Sequence, residues 1–152
     1  MTADQFRTHP DYGMAFWFLT VSMVTPDGKT LGIVMQDGIG SRYTGRDRAT
    51  EDHINYNGKV HKLDQTIVEF DSDNLMNPIR ANTIKGEKRF ANNSCSLIFS
   101  AKHKDHDGVN LFLLAFMRDV TYGYANGNCI IDGEEVLVEN AMGLFETVYS
   151  RY

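Results

Sequence analysis

The stretch Asn126–Tyr152, NGNCIIDGEEVLVENAMGLFETVYSRY, decides how the rest of the chain is read. Asn126-Gly127 and Asp132-Gly133 are strong two-residue hairpin signals, because their turn positions need positive φ, which Asn, Asp and Gly tolerate. A further bend is expected over 140–143. The spacing predicts three short strands joined by tight turns. One residue stands apart. Glu146 is in phase with Met142, Leu144 and Val148, so a carboxylate shares a strand face with apolar groups. If that face points inward, the carboxylate needs a partner or its pKa must rise.

The same pattern runs upstream. Tyr12–Thr25 (YGMAFWFLTVSMVT) is rich in aromatic and β-branched residues and predicts a long strand. Pro26-Asp27-Gly28 turns it into a second strand over Lys29–Gln36. Residues 37–50 (DGIGSRYTGRDRAT) form a long loop bearing Arg42, Arg46 and Arg48. Asn57-Gly58 joins short strands over 51–55 and 59–63. A strand follows at 65–71. A hairpin is expected around Lys85-Gly86-Glu87, between strands over 79–84 and 88–90. Ser94–Lys102 alternates well, and His103–Gly108 (HKDHDG) reads as a charged turn. Val109–Met117 fits a strand or a short helix equally well. Asp119–Ala125 is a strand. About eight to ten strands with Gly, Asn and Asp turns predict an all-β antiparallel sandwich or barrel. Residues 1–11 read as a polar lead-in and 12–152 as a single domain.

Composition narrows the function. The chain has 152 residues and a net charge of −5, which argues against nucleic acid or an anionic membrane as partner. No apolar run approaches the roughly 20 residues of a spanning helix. The polar N-terminus has no signal-peptide core, so a cytoplasmic location is expected. Cys95 and Cys129 match no metal spacing and are expected to be two buried free thiols.

The order Leu31-Gly32-Ile33, Gly38, Gly40, Thr50-Glu51, Asn57-Gly58-Lys59 and Lys62-Leu63 resembles a known family. So does the ending, with Tyr122-Gly123, Asp132-Gly133-Glu134, Gly143, Glu146 and Arg151-Tyr152. The resemblance is to the C-terminal half of an uncharacterised bacterial lipocalin-like (calycin) family related to carotenoid hydratase, or hydroxyneurosporene synthase. It spans Trp17–Tyr152. It implies a lipocalin-like barrel or strongly curved sheet, and no established activity. Two positions depart from the family pattern: Asp52 stands where Asn is usual, and Tyr152 where Trp is usual. Family members are also about twice as long.

Candidate sites follow from both readings. Phe16, Trp17 and Phe18 crowd the first strand, as core or as the wall of an apolar pocket. With Arg42 and Tyr122 they form the expected ligand-binding set. The expected ligand is a small apolar or amphipathic molecule in the barrel interior. Glu51 and Glu146 are candidate catalytic carboxylates for a hydratase or isomerase, provided they share one cavity. Glu51, Asp52 and His53 otherwise read as a solvated acidic turn. His103 and His106 sit in a charged loop, so no metal site is expected there. No cofactor motif is present. A third alternative is a non-catalytic assembly module. The long apolar first strand then calls for a second copy to cover it, giving a homodimer.

Overall fold

The computed structural model describes residues 13–37, 51–84, 90, 92–111 and 114–151. The described residues form nine strands: β1 Gly13–Val24, β2 Thr30–Asp37, β3 His53–Tyr56, β4 Lys59–Lys62 and β5 Thr66–Glu69. They continue with β6 Ile79–Thr83, β7 Ser94–Leu111, β8 Leu114–Ile131 and β9 Glu134–Arg151. All pair antiparallel in one sheet of order β4-β3-β2-β1-β9-β8-β7-β6-β5. Two meanders, β1–β4 and β5–β9, are thus joined where the last strand lies beside the first. The lead-in 1–11 and Lys85-Gly86-Glu87 lie outside the described residues, and β6 takes β7 as its partner.

Alternation sets the faces. On β1, Trp17, Leu19 and Val21 point inward; on β2, Leu31, Ile33 and Met35 do so. Phe99 from β7 and Phe145 from β9 are fully buried in the same core. The sheet is strongly curved and is not closed by a hydrogen-bonded ladder between its edge strands. Contacts across the interior hold the curl. β5 packs against β2. Phe70, just past β5, lies 5.0 Å from Phe145 and 5.4 Å from Trp17, ring centre to ring centre. At the other edge, β4 is pinned to the β8–β9 turn. Lys59 Nζ lies 2.9 Å from Asp132 Oδ2, and His61 Nδ1 lies 3.3 Å from Asp132 Oδ1.

The lipocalin-like all-β expectation is met as a curved open sheet. Two turns are as expected: Asn57-Gly58 has φ of 49° and 82°, and Asp132-Gly133 has 51° and 90°. Both central residues are left-handed, as a two-residue hairpin requires.

Other elements differ. Residues 126–151 contain the end of one 18-residue strand and the whole of another, not three short ones. Asn126-Gly127 and Asn140 are not turns. They face each other across one irregularity, where the register shifts between Ala125 and Gly127. There Asn140 has φ of 49°, and its N–H donates to Asn126 Oδ1 at 2.9 Å. A bulge needs the same left-handed residue that a turn does. His103–Gly108 is not a turn but the exposed half of β7. Val109–Met117 contains no helix among its described residues; it spans the β7–β8 connection, where Leu111 pairs with Leu114.

The cysteines also correct the expectation. Cys95 and Cys129 form a disulfide. They are far apart in sequence but directly opposed in the β7–β8 register, with Cα atoms 4.1 Å apart. Facing side chains this close on adjacent antiparallel strands can bond. Disulfides persist mainly in oxidising compartments. No helix among the described residues is long and apolar enough to cross a membrane.

Candidate functional site

Register builds a cleft at one end of the inner face. Trp17 on β1 faces Thr147 on β9, which faces Asp119 on β8, which faces His106 on β7. Beside this row, Tyr149 on β9 faces Met117 on β8. Residues Phe70, Ser72 and Leu75, from the segment after β5, close over the row. The enclosed space is about 60 Å³ and opens to solvent. Trp17 and Asp119 are two strand spacings apart, roughly 10 Å at about 4.8 Å each.

The cleft is apolar with few polar groups. Trp17 is 5% exposed and meets Phe70 edge-on at 66°. Its indole N–H finds no hydrogen-bond partner among the described residues. A buried donor left unpaired is costly and uncommon. Among the described residues, Asp119 is the only charged one lining the cleft. Lys104 Nζ lies 3.0 Å from its Oδ1, and His106 Nδ1 lies 2.8 Å away.

The expected site residues do not converge. Phe16 and Phe18 are one residue either side of Trp17, so they point to the opposite face, where they stack at 6.2 Å. Tyr122 is also on the outer face, which is creased along Gly143 on β9 and Gly123 on β8. A Cβ at Gly123 would collide with the Ser100 carbonyl, and one at Gly143 with Val21, so glycine lets the strands bend here. The crease forms a recess of about 380 Å³ walled by Tyr122, Tyr124, Leu144 and Met142. Arg42 lies outside the described residues.

Glu146 also faces outward, opposite Phe18 and Val120, yet is 8% exposed. Arg118 grips it with both prongs. Nε donates to Oε1 at 2.6 Å and a terminal N–H donates to Oε2 at 3.1 Å. The paired carboxylate holds the Arg118 guanidinium above its ordinary pKa. Glu51 is exposed in the bend before β3. Three strand spacings separate β3 from β9, roughly 14 Å along the sheet. The structure therefore does not bring Glu51 and Glu146 into one cavity. His103 and His106 lie on one strand at odd spacing and face opposite sides, so one metal ion cannot be shared between them. Each has a carboxylate partner instead, Asp105 and Asp119.

A family model described as a domain of unknown function, DUF2804, matches residues 11–152. The chain belongs to that family. No curated protein is significantly similar in sequence to this DUF2804 domain. Among solved structures, it is similar to the crystal structure of a protein described as AttH from Nitrosomonas europaea. The TM-score is 0.59 at 16% identity, over 99% of the present chain. At that identity the likeness speaks for the fold. The DUF2804 chain spans 55% of that longer protein.

One group of the DUF2804 domain that the sequence placed in a solvated acidic turn is buried. Asp52, at the position where the resembling family has Asn, is 3% exposed. It accepts a hydrogen bond of 2.5 Å from the Gln36 N–H, and its own carbonyl accepts from the Leu63 N–H at 3.1 Å. Burial pushes its carboxyl up from 3.8 to about 7, against the pull of the Gln36 and Thr66 N–H groups. It ties β3 to β2 and to the start of β5, where the curl closes. Its polar neighbours Glu51 and His53 hid it among apparently solvated residues; the departure from Asn was the available signal.

Proposed function

We propose that this DUF2804 domain binds a small, largely apolar molecule in the cleft beside Trp17. One observation carries the reading: the buried Trp17 ring, with Phe70, Leu75 and Met117, lines an apolar space that opens to solvent. The lipocalin-like fold supports it, since such sheets enclose ligands on their concave side. The relation to carotenoid hydratase implied by the sequence resemblance favours an apolar ligand of isoprenoid type. The paired-carboxylate alternative draws no support from the separate positions of Glu51 and Glu146.

The test uses the chain's single Trp. Titration with 1-aminoanthracene, a neutral apolar fluorophore, quenches Trp17 saturably by energy transfer. Met117→Arg, which fills the cleft from its rim, abolishes the saturable phase while the circular dichroism stays unchanged. Linear, unsaturable quenching in the native protein contradicts the reading.

A second reading concerns assembly. Tyr122, Tyr124 and Met142 are 43%, 44% and 67% exposed on one outer face. Large apolar side chains grouped this way favour association with a second copy. Sedimentation velocity over a wide concentration range tests it. A concentration-dependent dimer lost in Met142→Glu supports it, and a monomer throughout contradicts it.

A further inference from the structure

We infer that the outer-face recess between β7 and β1 is a second binding site, and that it takes a small amphipathic acid, a carboxylate on a flat apolar body. The recess holds about 380 Å³, within the range of about 300–1,000 Å³ found for small-molecule sites. Register orders its walls. Thr20 and Ser22 on β1 face Leu144 and Met142 on β9, which face Tyr122 and Tyr124 on β8. Opposed residues share a face, so these three pairs lie side by side. On the β7 side the ladder breaks. Ala101 faces Gly123 and His103 faces Tyr122, which leaves Lys102 as the extra residue of a bulge. A bulge re-aims side chains, and here two consecutive bases, Lys102 and His103, line the same recess.

The chemistry changes in one direction across these strands: hydroxyls on β1, aliphatic groups on β9, tyrosine rings on β8, bases on β7. β1 and β7 are three strand spacings apart, roughly 14 Å at about 4.8 Å each. The apolar middle suits a flat hydrocarbon body packed on the tyrosine rings. The basic end selects the charge. His103 is already engaged: its Nε2 lies 2.9 Å from Asp105 Oδ1, and its ring stacks on Tyr122 at 6.3 Å. The Lys102 ammonium has no ion-pair partner among the described residues, and no carboxylate among them lines the recess. A hydrocarbon laid here would shield that ammonium from water without pairing it, whereas a ligand carboxylate pairs it. A second copy fits the recess less well. An isologous contact sets a patch against itself, and this lining would bring bases and no acid to it.

The experiment compares three probes of one shape: 2-naphthoate, 2-naphthamide and 2-naphthylmethylammonium. Ligand-observed NMR titration of the full chain reads each affinity. The acid should bind saturably and about 2- to 5-fold tighter than the neutral amide in low salt, the range of one exposed ion pair. Salt at about 0.5 M should shrink that preference, and the ammonium should bind most weakly. Lys102→Met, which keeps the stem and removes the charge, should bring the acid-to-amide ratio to about one and leave the amide's affinity unchanged. Met117→Arg, which fills the cleft on the inner face, should change neither. Equal binding of acid and amide to the native chain, or loss of acid binding in Met117→Arg, overturns the inference without touching the cleft reading. Binding by none of the three overturns it too. So does a dimer, lost in Met142→Glu, that the acid fails to dissociate in sedimentation.

Discussion

Replacing Asp52 with asparagine should stabilise the fold above neutral pH and leave it nearly unchanged in acid. The carboxyl titrates near 3.8 when unfolded and near 7 in the native state, because burial disfavours its charge. The native state therefore holds a proton that the unfolded chain has released. Between those two values stability falls as pH rises, and above about 7 the loss is complete. Roughly three pKa units at 1.36 kcal/mol each give an upper figure of about 4 kcal/mol. The amide introduced by Asp52→Asn keeps an oxygen for the Gln36 N–H and cannot ionise. The variant should thus gain about 2–4 kcal/mol at pH 8 and close to nothing at pH 4. Urea denaturation of both proteins from pH 4 to 9 measures this, and taking the difference cancels titrations common to the two. A difference that does not change with pH, or a less stable variant at pH 8, would refute the reasoning.

Further outcomes follow from other contacts. Arg118→Ala should lower the melting temperature more than Glu146→Gln does, because it strands a buried carboxylate whereas the second change removes the charge with its partner left in water; the reverse order in calorimetry contradicts the pairing. Reducing Cys95–Cys129 should cost about 3–4 kcal/mol by the loop-closure estimate for a 34-residue separation. Alkylation of the unfolded, unreduced chain should label neither thiol; labelling of both denies the bond. Asp132→Ala should speed amide exchange in Val60–Lys62, since Lys59 and His61 lose their anchor, while β8 and β9 core amides stay protected; unchanged β4 exchange rules the anchor out.

How far the fold was legible depends on what each residue faces. β1 and β2 alternate and are joined by Pro26-Asp27-Gly28, so local pattern and tertiary burial agree. Asn57-Gly58 and Asp132-Gly133 were readable because a two-residue hairpin has a specific dihedral demand. Asn126-Gly127 was misleading for the same reason, since a bulge makes a similar demand inside a strand. His103–Gly108 hid its strand because β7 is exposed on both faces there, and without burial there is no alternation to read. Long-range partners were beyond the sequence. That Glu146 needs a partner was readable, but that the partner is Arg118 follows only from the β8–β9 register. The cysteine pairing likewise follows from the β7–β8 register. Trp17 was marked as a site residue together with Phe16 and Phe18, yet a strand must place them on opposite faces.

The central claim, a ligand cleft built on Trp17, is tested most directly by the indole N–H cross-peak of that residue during titration with cyclohexanone. A saturable shift of that single peak is expected, as the probe packs against the ring, and it is lost when Met117→Arg fills the cleft. An indole peak that stays in place up to the solubility limit of the probe would contradict it.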